Sequence, residues 1–164
     1  MNLAELVDPL SVDLALAASD KSGAIEALVD LLDKAGAVRD ARAFTAAVLD
    51  REKQFSTGLG DGIAIPHGKS DGVTRPAVAF ARSDQGIDWE SASHDRARLI
   101  FLIGVPQEQA GDLHLRILAM LSRKLVHADF RQRLLDATSV DDQLEDHRPQ
   151  EPAGRRPGGE GPDQ

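Results

Sequence analysis

The chain has 164 residues, 41% of them apolar, which suits one folded domain with some tail and excludes wholesale disorder. Aromatic residues make up only 4%, with one tryptophan and no tyrosine, so leucine, isoleucine, valine and alanine must build the core. A net charge of −8 lacks the basic footprint that nucleic acid or anionic lipid requires, and zero cysteines remove disulfides, thiolate metal sites and a thiol nucleophile together.

In chain order, the N-terminus Met-Asn-Leu-Ala-Glu-Leu carries an early acid and no basic or long apolar stretch, so no signal peptide is expected. Residues 12–17 alternate weakly, as a short strand would. Asp20 opens a helix in which Ile25, Leu28, Val29 and Leu32 share one face, closing at Gly36. Asp40 caps a second helix to about Glu52, with Phe44, Val48 and Leu49 facing inward. A glycine-studded segment, 56–62, precedes Ile63-Ala64-Ile65, a short buried strand that ends at Pro66.

Strands are expected over 77–81 and 98–105, the second more apolar and therefore central. Its apolar run is far too short to span a bilayer, which points to a cytoplasmic domain. Residues 83–95 read as a polar loop carrying Trp89. Asp112 begins a helix to about His127, with Leu113, Ile117, Met120, Leu121 and Lys124 along one side. Another helix covers 130–137, and Ser139 with Asp142 forms a capping box. This order predicts an α/β fold, a mixed β-sheet flanked by helices on both faces, in a single domain over 1–145. Residues 146–164 hold four prolines, four glycines and one apolar residue, so they are expected to be a disordered tail or an interdomain linker.

Three apparent motifs fail on spacing. The run from Gly62 to Ser70 mimics a phosphate-binding loop, but five residues separate its glycines where four are needed, and they are strand-like and include a proline. Gly58-Leu59-Gly60-Asp61-Gly62 lacks the dinucleotide spacing. The five histidines form no i, i+4 pair and no His-Glu-x-x-His, so neither metal nor cofactor is expected. His67 stands apart, between a φ-locked proline and a permissive glycine at a buried strand's end. A turn residue would explain it blandly. Imidazole is nonetheless suited to carrying phosphate, since a pKa of about 6.5 leaves a neutral nucleophilic nitrogen at cellular pH.

Asp50-Arg51-Glu52-Lys53, followed by the segment from Ser56 to Gly68 that ends Ile-Ala-Ile-Pro-His-Gly, resembles the phosphorylation-site signature of the fructose/mannitol-type IIA family of the bacterial sugar phosphotransferase system. Gly111-Asp112-Leu113-His114-Leu115-Arg116 resembles that family's second histidine segment, and Phe130-Arg131-Gln132-Arg133-Leu134-Leu135 its C-terminal helix. The resemblance covers about 3–144. Asp61 departs from it, since Asn is more usual there.

The resemblance implies that His67 is the phosphoryl acceptor, becoming a tele-phosphohistidine. Phospho-HPr would be the donor, and a cysteine of a IIB domain the recipient, for uptake of a sugar such as fructose. His114 would lie beside His67 and stabilise the transferring group, and Arg51 would neutralise or orient it. The IIB domain and a membrane IIC domain could share the polypeptide, tethering the domain to the inner membrane. The competing reading within the family is a regulatory, nitrogen-related IIA phosphocarrier uncoupled from transport; a plain interaction module is the alternative from another class. With Asp112 starting the helix, His114 falls in the first turn, where the macrodipole disfavours imidazolium. His94, His127 and His147 read as ordinary surface residues.

Overall fold

Two long strands organise the molecule, and their side chains divide between two cores. In the computed structural model, which describes residues 2–109 and 111–139, β5 (Ala77–Asp88) pairs antiparallel with β6 (Arg96–Pro106). On β5, Ala77, Ala79, Ala81 and Ile87 enter one core while Val78 and Phe80 enter the other. On β6, Ala97, Ile100 and Leu102 join the first set and Leu99, Phe101, Ile103 and Val105 the second. Successive strand side chains point to opposite faces, so a nearly unbroken apolar run needs cover on both.

Helices α2 (Lys21–Lys34) and α3 (Ala41–Gln54) cover the alanine-rich face. The other face takes α1 (Leu3–Leu6), α4 (Leu113–Leu125) and α5 (Ala128–Asp136). β6 is central: besides β5 it holds β3 (Ile63–Ala64) and β4 (His67–Ser70), both parallel to it. β1 (Val12–Asp13) lies parallel on β5, and β2 (Gly58–Gly60) antiparallel on β3. The fold is therefore the expected mixed sheet flanked by helices on both faces. No helix among the described residues is long and apolar enough to cross a membrane.

The caps of α2 and α3 follow the sequence. Asp20 accepts the Gly23 N–H at 2.8 Å, and Asp40 the Ala43 N–H at 3.0 Å. Phe44 and Val48 are buried as expected, whereas Leu49 is half-buried against the same core. Asp112 precedes α4 without a side-chain cap and instead meets Arg116 at 3.5 Å. The strand expected over 12–17 shrinks to two residues after a 3-10 turn at Pro9–Ser11.

The loop expected over 83–95 needs correction. β5 continues to Asp88 across an irregularity between Arg82 and Ile87, where the buried Ser83 hydroxyl accepts the Gly86 N–H at 3.1 Å. The exposed Asp84 and Gln85 at this bulge give the segment its polar look. Trp89 does lie in the loop that follows β5, and there it is fully buried. Asp142 of the expected capping box, His147 and the 146–164 tail lie outside the described residues.

Arg82 joins the last helix to the sheet. Its Nη1 donates to the carbonyls of Leu134, Leu135 and Ala137 at 3.0, 3.1 and 2.7 Å, and its Nε to Leu14 at 3.1 Å. These include carbonyls at a helix end that lack helical partners. Replacing it by methionine, Arg82→Met, is expected to cost about 2 kcal/mol through the stranded carbonyls. Thermal unfolding should shift down by several degrees, and in hydrogen exchange the amides of α5 should lose protection before those of β6.

Candidate functional site

The site is built around a break in a strand. β3 ends at Ala64, Ile65 stays buried, and Pro66 has no N–H to give to a ladder. The sequence suggests that the strand stops there. Instead the chain rejoins β6 as β4, with His67 as its first residue, opposite Ile103. The Ile103 N–H donates to the Pro66 carbonyl at 3.0 Å, so the turn is pinned to the central strand on its far side.

His67 is half-buried, and its Nδ1 lies 3.0 Å from the Ile65 carbonyl oxygen. A carbonyl only accepts, so Nδ1 carries the proton and Nε2 keeps its lone pair. Burial is the main cause that lowers the His67 pKa below its ordinary value of 6.5. The Ile65 carbonyl works against this, Arg51 and His114 add to it, and Glu52 opposes it.

His114 sits in the first turn of α4, with its ring centroid 6.3 Å from that of His67 and the planes 27° apart. Its Nδ1 is buried and bonded to no described group. Its pKa is also lowered, first by burial and then by Lys69, with Asp112 opposing. The expected direction is correct, but burial and the Lys69 ammonium cause it where the helix dipole was invoked.

Arg51 arrives through a close approach of α3. A Cβ on Gly68 would stand 3.0 Å from Val48 Cγ2 and 3.2 Å from its backbone nitrogen, so a bare glycine lets the helix rest on β4. One turn beyond Val48, Arg51 comes near enough for its charge to act on His67, while its Nη1 donates to the Phe55 carbonyl at 3.0 Å. The three residues singled out by sequence thus meet, carried by α3, β4 and α4. His94 and His127 are exposed elsewhere, His94 with a φ of 65°. No group of three metal-capable side chains occurs among the described residues.

This arrangement has clear relatives. Residues 5–145 match the family model for the phosphoenolpyruvate-dependent sugar phosphotransferase system, EIIA 2. The chain belongs to that family. It is 50% identical over 119 residues to the fructose-specific EIIA component of Haloferax volcanii, covering 73% of this chain and 77% of that one. It is 42% identical over 141 residues to the fructose-specific EIIABC component of Bacillus subtilis, covering 86% of this chain but only 22% of that longer protein. The nitrogen regulatory protein of Bradyrhizobium diazoefficiens is 37% identical over 136 residues, 82% of this chain and 86% of its own.

Among solved structures, the nitrogen regulatory protein IIA-Ntr of Neisseria meningitidis superposes with a TM-score of 0.80 at 27% identity, covering 88% of this chain and 98% of that one. The mannitol IIA of Escherichia coli gives 0.75 at 30%, covering 86% and 98%. The EIIA domain is therefore a phosphotransfer component.

Within this EIIA domain, sequence reasoning missed a buried polar cluster beneath the site. Glu52 is 6% exposed and accepts from the Thr57 N–H and Thr57 Oγ1, each at 2.7 Å. Trp89 Nε1 donates to Thr57 Oγ1 at 3.1 Å, which explains how the only tryptophan is buried at no hydrogen-bonding cost. A helix pattern places Glu52 among solvated charges, and nothing local announces its partners. Asp61 has a φ of 56°, and its N–H donates to Asp95 Oδ2 at 2.8 Å. Aspartate and asparagine both tolerate that left-handed turn, so its departure from the family habit keeps the backbone geometry.

Both imidazoles of the EIIA site should titrate below 6.5, the ordinary value. Nitrogen-detected proton NMR is expected to show His67 neutral and Nδ1-protonated above that pH. The unfolded chain protonates its histidines first, so folding stability should fall as the pH drops from 6.5 through the lowered values.

Proposed function

We propose that His67 is the phosphoryl acceptor of this EIIA domain, and that Nε2 is the atom that takes the group. The observation that carries this reading is the 3.0 Å contact from Nδ1 to the Ile65 carbonyl, which leaves only Nε2 with a free lone pair. That nitrogen attacks the phosphorus of phospho-HPr. The donor's P–N bond breaks, and the new P–N bond forms on His67. In the second step a cysteine thiolate of a IIB domain attacks, the P–N bond breaks, and Nε2 recovers its lone pair.

Such transfers depend on positioning and charge stabilisation more than on covalent help from the protein. With ring centroids 6.3 Å apart, an oxygen of a phosphoryl group on one imidazole lies within reach of an N–H on the other. His114 then steadies the group as a neutral donor, and Arg51 offsets the added negative charge. The low His67 pKa suits the role, because a proton competes for Nε2 only under acid conditions. Phe55 and Leu115, 76% and 56% exposed, stand next to Arg51 and His114 in this picture and give incoming carriers an apolar footing.

Fructose is the proposed sugar, because two of the relatives described above are named for it. An Escherichia coli mannitol IIA solved in complex with phosphorylated IIB, 29% identical with a TM-score of 0.74, supports a IIB partner. The Pro/Gly-rich composition of 146–164 supports a linker after a domain over 1–145, leading to IIB and IIC domains as in the Bacillus subtilis relative. The nitrogen regulatory relatives favour a second reading, a phosphocarrier that signals instead of feeding transport.

Incubation with phosphoenolpyruvate, enzyme I and HPr should add the mass of one phosphoryl group, acid-labile and alkali-stable, and none to His67→Ala. Undiminished labelling of that variant would sink the assignment. His114→Ala should still charge but deliver to a IIB cysteine on the order of 10²-fold more slowly. Wild-type protein that charges yet passes nothing to any fructose-type IIB domain would favour the signalling role.

A further inference from the structure

We propose that Glu52 and Thr57 are positioning residues for His67, acting through a continuous line of hydrogen bonds that ends on the imidazole. The proposal rests on the reading of His67 as acceptor. It starts at Lys21, whose Nζ donates to Glu52 Oε2 at 3.3 Å and to Glu90 Oε1 at 3.2 Å. Glu52 holds Thr57 at two points, its N–H and its hydroxyl, both at 2.7 Å. The Thr57 carbonyl then accepts the Ile65 N–H at 3.1 Å, and the Ile65 carbonyl accepts His67 Nδ1–H at 3.0 Å.

The line is mechanical, because the N–H and C=O of one residue belong to different peptide groups. Its effect is to fix where the Ile65 carbonyl points. That carbonyl selects the imidazole tautomer, and the tautomer decides which nitrogen is nucleophilic. Thr57 has both hydroxyl functions committed, donating to Glu52 and accepting from Trp89 at 3.1 Å, so its rotamer has no freedom. The carboxylate that grips Thr57 follows directly on Arg51 in α3. One helix turn therefore supplies both the cation facing His67 and the anchor for the segment behind it.

A second, separable contribution comes from charge. The Glu52 carboxylate favours protonated His67, opposing Arg51, His114 and burial, so the two adjacent α3 residues act on the imidazole in opposite senses. A purely structural cluster would hold the fold without biasing the tautomer.

The test uses the full chain with Thr57→Val, Thr57→Ser and Glu52→Gln, each checked for cooperative unfolding. Nitrogen-detected NMR of the unphosphorylated protein reads the His67 tautomer and titration. Initial phosphoryl uptake from HPr, charged by phosphoenolpyruvate and enzyme I, reads the consequence. Thr57→Val is expected to mix the tautomers and slow uptake by roughly 10-fold or more, since small misplacements of a reacting group are costly. Thr57→Ser should restore both, and Glu52→Gln should lower the His67 titration midpoint further. A folded Thr57→Val protein with wild-type tautomer and uptake would overturn the proposal. Should Thr57→Val not fold, Thr57→Ala removes the same hydroxyl without the added methyl; a folded Thr57→Ala protein with wild-type tautomer and uptake would overturn it equally. If His67→Ala still accepted phosphate, the acceptor reading would fail, while the tautomer measurement would still decide whether Glu52 and Thr57 orient this ring.

Discussion

The site depends on the 3.0 Å bond from His67 Nδ1 to the Ile65 carbonyl, and that bond depends on Pro66. Proline removes one ladder donor and fixes φ, so β3 and β4 are two short strands with a kink between them. A continuous strand would alternate its side chains across the sheet and carry each carbonyl away into a ladder. The kink turns the Ile65 carbonyl back toward the ring two residues on. β6 then holds both sides of the break, through Ile63 and Ala64 before it and through His67 to Ser70 after it.

Around that fixed imidazole, the elements contribute by simple packing rules. The absence of a side chain at Gly68 lets α3 rest on β4, which brings Arg51 within electrostatic reach. α4 packs Ile117, Met120, Leu121 and Leu125 onto the opposite face, leaving its first turn, with His114, at the edge of the sheet. His67 pairs with Ile103, whose side chain enters the core under α4, so the two imidazoles meet on that side of the sheet, each only partly covered. Partial burial there is the main cause that lowers both pKa values, which favours neutral rings.

Much of this was legible in the chain. Asp20 and Asp40 announced α2 and α3, the apolar run after Arg98 announced the central strand, and the Ile-Pro-His-Gly sequence singled out His67. The polar bulge at Asp84 and Gln85 hid the second half of β5, because local hydrophilicity outweighed the returning apolar residues Ile87 and Trp89. β4 was equally hidden: His-Gly-Lys-Ser has no strand-like composition, and it is a strand only because β6 offers it an edge.

The sequence by itself determined the starts of α2, α3 and α4, the two-faced central strand, the family and the candidate histidines, because capping, periodicity and motif spacing are local properties of the chain. Tertiary structure alone decided which partners those side chains acquire. Glu52 and Thr57 are five residues apart, yet Trp89 and Lys21 reach them from distant segments, and His114 meets His67 from a helix far along the chain. Burial, tautomer and charge at His67 are sums over groups that no window of sequence contains, so they were fixed only when both helical layers closed on the sheet.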